Sequence, residues 1–266
     1  MHISDINADG QSCRTDCHFT GDSVVPTTQA IFTHCIFSAM SSTTNRGAAI
    51  CSISSSLTIT LTGCVLKDCT AAKNGGAIYL SGSNSLTVIN TLFQNCVTNS
   101  NESEPCGGGI FISGKDSSLT LSSSIFLCCR ANVQIANRGG GALFTSEINT
   151  LRIFSSHFIM CSTRNAGGAI FAMQVKREIS VCDALFRGNT AGYEGGAIRK
   201  GDNVGSSNPH LTFSFFNGNI APAEHGNDFT ITPEITSTPF LYSFSTAPSN
   251  RVAYSHGTIS HNYDNN

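Results

Sequence analysis

Short runs of alternating apolar and polar residues return along the chain about every 30 residues. Four of them are LTVIN at 86–90, LTLSS at 119–123, LRIFS at 151–155 and ISVCD at 179–183, and the stretches at 56–63 and 210–214 fill the same position. Apolar side chains at i and i+2 with Thr, Arg or Ser between them are typical of a half-buried strand and not of a helix. The pattern therefore predicts one such strand in every repeat.

A glycine-rich block, Gly-Gly-Ala-Ile or a close variant, accompanies each run. The fourth residues of these blocks are Ile50, Ile78, Ile110, Leu143, Ile170, Ile198 and Phe229, with spacings of 28, 32, 33, 27, 28 and 31 residues. A period of this length indicates a solenoid. These apolar residues are predicted to form an inward-facing column. The paired glycines, such as Gly75 and Gly76, are interpreted as a tight corner, since they begin a strand and not the helix that an anion-binding loop requires.

A second motif keeps step with the first: a large apolar residue, two variable residues, then Cys or Asn. Its aromatic members are predicted to stack in the core; they are Phe93, Phe126, Phe158, Phe186 and Phe216. Its last positions are Cys69, Cys96, Cys129, Cys161, Asn189 and Asn219. Asn can hydrogen-bond backbone groups of a turn, and Cys can fill the same volume. For the cysteines, buried thiols, disulfides between neighbouring repeats and a metal site remain alternatives.

Each repeat thus holds three short strands and no helix. This predicts an all-β fold, a right-handed, single-stranded parallel β-helix of about seven coils, where one coil is one turn of the solenoid. Residues 1–29 are predicted to be an N-terminal cap or degenerate coil, 30–231 the β-helix, and 232–266 a C-terminal cap followed by a disordered tail rich in Ser, Thr and Pro.

The paired motifs resemble the repeats of the polymorphic outer-membrane protein family, in which GGA[ILV] alternates with FxxN. The resemblance covers about residues 30–230, with Cys in place of Asn in four repeats and Met40 in one. Such repeats occur in passenger regions of bacterial autotransporter adhesins and in surface proteins of some parasitic protists. The resemblance implies a parallel β-helix of the pectin lyase-like fold, a role in adhesion, and a location at the cell surface or outside the cell.

Two features are candidates for partner binding. The first is a column beside the anchors, formed by Tyr79, Phe111, Phe144 and Phe171. It is either an exposed aromatic strip that meets a protein or glycan, or an outer face covered by a neighbouring loop. The second is a pair of inserted corners, 97–106 and 130–139. Asn101 begins an Asn-Glu-Ser sequon in the first corner and is a candidate glycosylation site.

The charge, the apolar stretches and the placement of acidic residues argue against several classes of function. Charged residues make up 12% of the chain and the net charge is -2, which argues against a nucleic-acid partner. The chain has no recognisable signal peptide and no apolar stretch of about 20 residues that would span a membrane. No two carboxylates occupy equivalent positions in adjacent repeats, as acid/base catalysis on one face would require.

No catalytic, cofactor or metal residue is therefore assigned, and no oligomeric state. The leading hypothesis is a non-enzymatic, adhesin-like surface or secreted module that binds a host-cell surface protein or a glycan. The alternatives are a polysaccharide lyase or hydrolase on the same fold, and a structural spacer within a larger surface protein.

Overall fold

The computed structural model describes residues 11–15, 17–20, 26, 29–42, 46–54, 56–99, 106–132, 138–201, 209–222, 226, 229–231 and 252–254. The described chain contains strands and turns and no helix. Its strands are β1 (Gln11–Thr15), β2 (His18–Phe19), β3 (Gln29–Thr33), β4 (Ile36–Ser38), β5 (Ser41–Ser42), β6 (Ile50–Ser52), β7 (Thr58–Thr62), β8 (Val65–Lys67), β9 (Thr70–Ala71), β10 (Ile78–Ser81), β11 (Ser85–Ile89), β12 (Leu92–Gln94), β13 (Val97–Thr98), β14 (Ile110–Ser113), β15 (Ser118–Ser122), β16 (Ile125–Leu127), β17 (Arg130–Ala131), β18 (Leu143–Ser146), β19 (Thr150–Phe154), β20 (His157–Ile159), β21 (Ser162–Thr163), β22 (Ile170–Met173), β23 (Glu178–Cys182), β24 (Leu185–Arg187), β25 (Thr190–Ala191), β26 (Ile198–Lys200), β27 (Pro209–Thr212), β28 (Phe215–Asn217), β29 (Phe229–Ile231) and β30 (Val252–Tyr254).

These strands form four parallel sheets that run along the axis of the molecule. Sheet A has the order β1-β3-β7-β11-β15-β19-β23-β27, sheet B β2-β4-β8-β12-β16-β20-β24-β28, sheet C β30-β29-β26-β22-β18-β14-β10-β6, and sheet D β25-β21-β17-β13-β9-β5. Within the described residues, six complete coils, β3 to β26, lie between incomplete coils at both ends. The predicted all-β parallel solenoid is confirmed. Sheets A, B and C are the three predicted strands, and sheet D adds a two-residue strand that the sequence pattern did not separate.

Equivalent residues of successive coils lie directly opposite each other. Ile78 pairs with Ile110 in sheet C, and Phe126 pairs with Phe158 in sheet B. In sheet A the second and fourth positions are buried and the others face outward, as in β15. The core is one continuous column of apolar side chains inside the coils. The alternating runs and the Gly-Gly-Ala-Ile blocks therefore share one interior.

Two columns of left-handed residues bend the chain on either side of sheet B. The first contains His34, Gly63, Asn90, Ser123, Ser155, Asp183 and Phe213, with φ between 44° and 62°. The second contains Ala39, Asp68, Asn95, Cys128, Met160, Gly188 and Gly218, with φ between 51° and 63°. Left-handed backbone costs most residues about 1–2 kcal/mol, and Gly, Asn and Asp least. The bends are therefore imposed by the stacked coils, since the residue types vary so widely.

The paired glycines form the corner between sheets D and C. Gly75 has φ +66°, and a Cβ there would lie 2.1 Å from the carbonyl oxygen of Ile78. Gly76 cannot be replaced by a larger residue for another reason. A Cβ added there would lie 2.0 Å from the carbonyl oxygen of Gly108 in the next coil. The first glycine supplies the left-handed conformation and the second allows close approach between coils.

Candidate functional site

The Cys/Asn position closes the corner between sheets B and D by bonding to the preceding coil. In the Asn189 coil, Nδ2 donates to the carbonyl oxygen of Phe158 at 3.0 Å, and Oδ1 accepts from the backbone N–H of Cys161 at 2.9 Å. Asn219 repeats both bonds, to Phe186 at 3.0 Å and to the N–H of Asn189 at 3.0 Å. One buried amide thus satisfies two buried backbone groups per coil.

The cysteines take the donor role at the same position. The thiols of Cys69, Cys96, Cys129 and Cys161 lie 4.0, 3.4, 3.7 and 3.5 Å from the carbonyl oxygens of Phe37, Leu66, Phe93 and Phe126. All four side chains are fully buried, and each is a thiol and not part of a disulfide. A thiol is a weaker hydrogen-bond donor than an amide. The side-chain hydrogen bond that closes this corner is therefore weaker in the cysteine coils than in the Asn coils.

Burial also sets the protonation of these thiols. It raises the pKa of Cys96 and of Cys161 well above the ordinary thiol value. At the corner between sheets A and B, burial raises the pKa of Cys35 to about 12. A thiol becomes nucleophilic only as the thiolate, so Cys35, Cys96 and Cys161 fill space and do not react. At Cys129 burial alone would raise the pKa, but hydrogen bonds with Cys161 and Cys96 lower it.

The corner between sheets A and B carries its own polar ladder. The hydroxyl oxygens of Thr91, Ser124 and Ser156 accept the backbone N–H of the equivalent residue in the preceding coil at 3.2–3.3 Å. The signal in the sequence is a small residue two positions before each core Phe. Both corners that flank sheet B are thus closed by side-chain to backbone bonds between coils.

The core phenylalanines form a ladder of nearly parallel rings. The centroids of Phe93 and Phe126 are 4.5 Å apart, and the later pairs, through Phe158, Phe186 and Phe216, are each 4.9 Å apart with interplanar angles of 9° or less. All are buried. The five rings of this ladder are among the largest fully buried side chains of the described chain.

The second aromatic column, in sheet C, faces outward but is covered. Tyr79 and Phe111 are only 5% and 8% exposed, and Phe144 and Phe171 are buried. Of the two alternatives that the sequence left open, the exposed aromatic strip for a partner or glycan is therefore not what the structure shows. The structure has the other arrangement, an outer face under neighbouring chain. Tyr79, Phe111 and Phe144 stack at 5.0 and 5.2 Å between centroids.

The cover comes from the corner that precedes each Gly-Gly pair. Cys106 and Ala166 pack against the aromatic column. The guanidinium groups of Arg46 and Arg138 lie 5.0 Å and 6.0 Å from the ring centroids of Tyr79 and Phe144.

Arg199, which continues the column, is covered in the same way. Its guanidinium lies 5.9 Å from the ring of Phe171, and its Nε is 2.5 Å from a carboxylate oxygen of the buried Glu194. The residues that cover the aromatic column could not be identified from the sequence, because they come from corners of variable length.

The two inserted corners begin and end at stacked positions of adjacent coils. At their start, Nδ2 of Asn132 donates to Oδ1 of Asn99 at 3.3 Å. At their end, the N–H of Gly107 donates to the carbonyl oxygen of Gly139 at 3.0 Å. The corners 97–106 and 130–139 thus leave and rejoin adjacent coils at stacked positions, and we call them the loop pair. Residues 100–105 and 133–137 lie outside the described residues, and so does the glycosylation candidate Asn101.

Sheet B presents an apolar stripe that sequence reasoning did not predict. The first residues of its strands from β4 to β28 are half-buried or exposed and, apart from one His, apolar; they are Ile36, Val65, Leu92, Ile125, His157, Leu185 and Phe215. Phe215 is 45% exposed. With neighbouring strands about 4.8 Å apart, this sheet B stripe is about 29 Å long. Contiguous apolar surface of this kind often marks an interaction site.

Charged side chains pair across coils on the outer faces. Arg152 and Glu178 form a 2.7 Å ion pair in sheet A, and the hydrogen bond from Arg152 lowers the pKa of Glu178. Asp183 accepts from the hydroxyl of Ser155 at 2.9 Å. Over the described part of the chain, no group of three or more His, Cys, Asp or Glu is placed to hold a metal ion.

Comparison with known proteins places one segment of the chain in a described repeat. Residues 183–199 match the Chlamydia polymorphic membrane protein (Chlamydia_PMP) repeat. The matched segment contains Phe186, Asn189 and the block ending at Ile198, so it is the coil in which both motifs are complete. No curated protein and no solved structure matches the chain. None of the described residues forms a helix long and apolar enough to cross a membrane.

Proposed function

We propose that this β-solenoid, which carries a polymorphic membrane protein repeat, is an adhesin-like module at the cell surface or outside the cell that binds its partner without catalysing a reaction. The repeat match and the parallel solenoid support a surface module of this kind. The observation that carries the proposal is the loop pair, where two adjacent coils of an otherwise regular rod are both extended.

The regular positions of the repeat leave little for a partner to contact. The anchors from Ile50 to Ile198, the core phenylalanines and the Cys/Asn position are buried, and the aromatic column of sheet C is covered. Apart from the sheet B stripe, which is apolar, the inserted corners are therefore the positions to which we assign recognition. Coils without an insertion use the five residues 70–74 or 162–166 at this corner, whereas each member of the loop pair uses ten.

The composition of the loop pair suits a polar partner. The two corners read VTNSNESEPC and RANVQIANRG, rich in Asn, Ser, Glu and Gln. Amide and carboxylate groups can bond to several hydroxyl groups at once, as a glycan or a polar protein surface presents them. We therefore assign the partner to a host-cell surface glycan or a glycosylated surface protein.

The test exchanges the loops while keeping the coils. Residues 97–106 and 130–139 are each replaced by TAAKN, the sequence of residues 70–74, and the matched control replaces residues 162–166 in the same way. Binding is measured on a glycan array and on host cells, with circular dichroism to establish that the variants fold. We expect the double exchange to lose binding and the control to retain it.

Two outcomes would overturn the proposal. Equal binding by the double exchange and the parent chain would remove the loop pair from recognition. No binding by the parent chain to any glycan or cell surface would favour the spacer alternative, and turnover of a bound polysaccharide would favour the lyase or hydrolase alternative.

A further inference from the structure

The charged residues of this chain are divided unevenly between the described coils and the rest of the sequence. Of the 15 Lys and Arg, all but Arg251 are described residues, whereas only six of the 17 Asp and Glu are. The described part therefore has 14 positive against 6 negative charges, a net charge of +8, although the whole chain carries -2. The position of these cations on the coils then decides what they can bind.

The cations concentrate on sheet D and on the corner that leads from it to sheet C. From β5 to the start of β22, every charged residue described on this side is basic; these residues are Arg46, Lys73, Arg130, Arg138 and Arg164, and we call them the basic ridge. All but the half-buried Arg138 are exposed. In the following coil, Glu194 is buried against Arg199. A partner that meets this side of the coils therefore meets positive charge.

The basic ridge follows the axis of the solenoid, because the corners of successive coils are stacked. The N–H of Gly47 donates to the carbonyl oxygen of Asn74 at 3.0 Å, which places Arg46 beside the corner of Lys73. The carbonyl oxygen of Arg138 accepts the N–H of Ala166 at 3.2 Å in the coil of Arg164. From the coil of β5 to the coil of β21 the ridge rises four rungs, about 19 Å.

Two guanidinium groups of the ridge rest on the covered aromatic column. Arg46 lies 5.0 Å from the ring centroid of Tyr79, and Arg138 lies 6.0 Å from that of Phe144. A side chain that is already held in place loses less freedom when it binds a partner. Within the described residues, no carboxylate forms an ion pair with the other three members of the ridge. Their charges are therefore open to an anionic partner.

The chemistry of the ridge fits a long chain of oxyanions. Four of its five members are Arg, whose planar guanidinium donates two parallel hydrogen bonds to one oxyanion. A small anion would contact one or two members, whereas a linear polyanion can contact members along the whole length. Single-stranded nucleic acids are bound by stacking their bases on exposed aromatic side chains, and the aromatic column beside the ridge is covered. A polysaccharide with sulfate groups offers the oxyanions without the bases.

We propose that the basic ridge is a second binding surface of this protein, and that it takes a linear sulfated polysaccharide. The choice of a polyanion found outside the cell rests on the proposed function. Arg130 and Arg138 belong to the loop pair as well, whereas Arg46, Lys73 and Arg164 do not. Substitution of these last three therefore tests the ridge while both loops stay intact.

The test measures binding to heparin, a sulfated polysaccharide, by the full chain at several NaCl concentrations. The ridge variant carries Arg46→Gln, Lys73→Gln and Arg164→Gln. The control variant removes the same charge from exposed residues at the corner between sheets C and A, by Lys115→Gln, Lys176→Gln and Arg177→Gln. Titration calorimetry gives the affinity, and circular dichroism establishes that the variants fold.

We expect the parent chain and the control variant to bind heparin alike. The ridge variant should bind about tenfold more weakly, since it loses three exposed ion pairs. The slope of log Kd against log salt concentration should fall by about three, one for each cation removed. Arg46→Lys combined with Arg164→Lys keeps the charge and should retain most of the affinity. If the ridge variant does not fold, Lys73→Gln with Arg164→Gln, which leaves the cover of Tyr79 in place, replaces it.

Three results would overturn the proposal. The first is no heparin binding by the parent chain, and the second is an equal loss in the ridge and control variants. The third is tighter binding to single-stranded DNA or to phosphatidylserine vesicles than to heparin, which would assign the ridge to a nucleic acid or a membrane. Equal binding to hyaluronan, whose anionic groups are carboxylates alone, would contradict the requirement for sulfate. The loop pair is unchanged in both variants, so failure of the ridge and failure of the loop pair are measured separately.

Discussion

The same corner is closed in two ways along this molecule. Four coils use a buried thiol, which lies 3.4–4.0 Å from the carbonyl oxygen of the preceding coil. The last two use Asn189 and Asn219, whose amides donate and accept at 2.9–3.0 Å. The preceding left-handed residue changes as well, to Gly188 and Gly218 in the Asn coils. The comparison teaches that a buried donor at this position links adjacent coils and that cysteine does so more weakly, while the buried Met40 occupies the position in the first complete coil without a side-chain donor.

The largest expected contrast between the two types of coil appears at alkaline pH. Burial raises the pKa of Cys35 to about 12 and raises the pKa of Cys96 and Cys161, whereas unfolded thiols ionise near pH 8.5. Above that pH the unfolded chain loses protons that the folded chain keeps, so the free energy of unfolding falls as pH rises. We expect the free energy of unfolding to fall as the pH rises above about 9, measured by urea unfolding.

The control removes one buried thiol. In Cys96→Ala the fall in unfolding free energy above about pH 9 should be shallower than in the parent chain by about 1.4 kcal/mol per pH unit. An identical slope in the two proteins would show that the buried thiols do not cause the alkaline loss.

Truncation of the two side chains should differ by a smaller amount. Asn189→Ala leaves the carbonyl oxygen of Phe158 and the N–H of Cys161 buried without their partner, which we expect to cost about 3 kcal/mol. Cys129→Ala loses one weak bond and little volume, and should cost about 1 kcal/mol. Urea unfolding at neutral pH measures both. Equal costs would mean that hydrogen bonding does not distinguish the coils.

The left-handed residue before the corner should give the smallest effect. Met160 has φ 51°, a conformation that glycine adopts without strain. Met160→Gly should raise the free energy of unfolding by about 1 kcal/mol, and Gly188→Ala should lower it by a similar amount. The thermal midpoints of the two variants test this. A shift of both in the same direction would contradict the explanation.

Much of the fold could be predicted because each buried position admits few residue types. The anchor column contains Ile or Leu and, at its end, Phe229, and the ladder in sheet B contains Phe apart from Leu66, so period and strand order can be read from these residues. The two left-handed columns could not be predicted from the sequence, since His34, Asn90 and Phe213 have no sequence property in common.

The functional surfaces were harder to predict, because exposure depends on residues far away in the sequence. Tyr79 is covered partly by Arg46 and Cys106, which belong to different coils. The sheet B stripe was missed for the opposite reason. Residues such as Ile125 and Leu185 directly precede a core Phe, and a three-residue strand is too short to show which side chain faces outward.

The most direct test of the account is the free energy of unfolding of Asn189→Cys, measured beside Asn189→Ala. If the two residue types fill one structural role, Asn189→Cys should fold and be only about 1 kcal/mol less stable than the parent, well above the alanine variant. An Asn189→Cys protein as unstable as Asn189→Ala would contradict the claim that the thiols and amides of this column both stabilise the corner by bonding to the preceding coil.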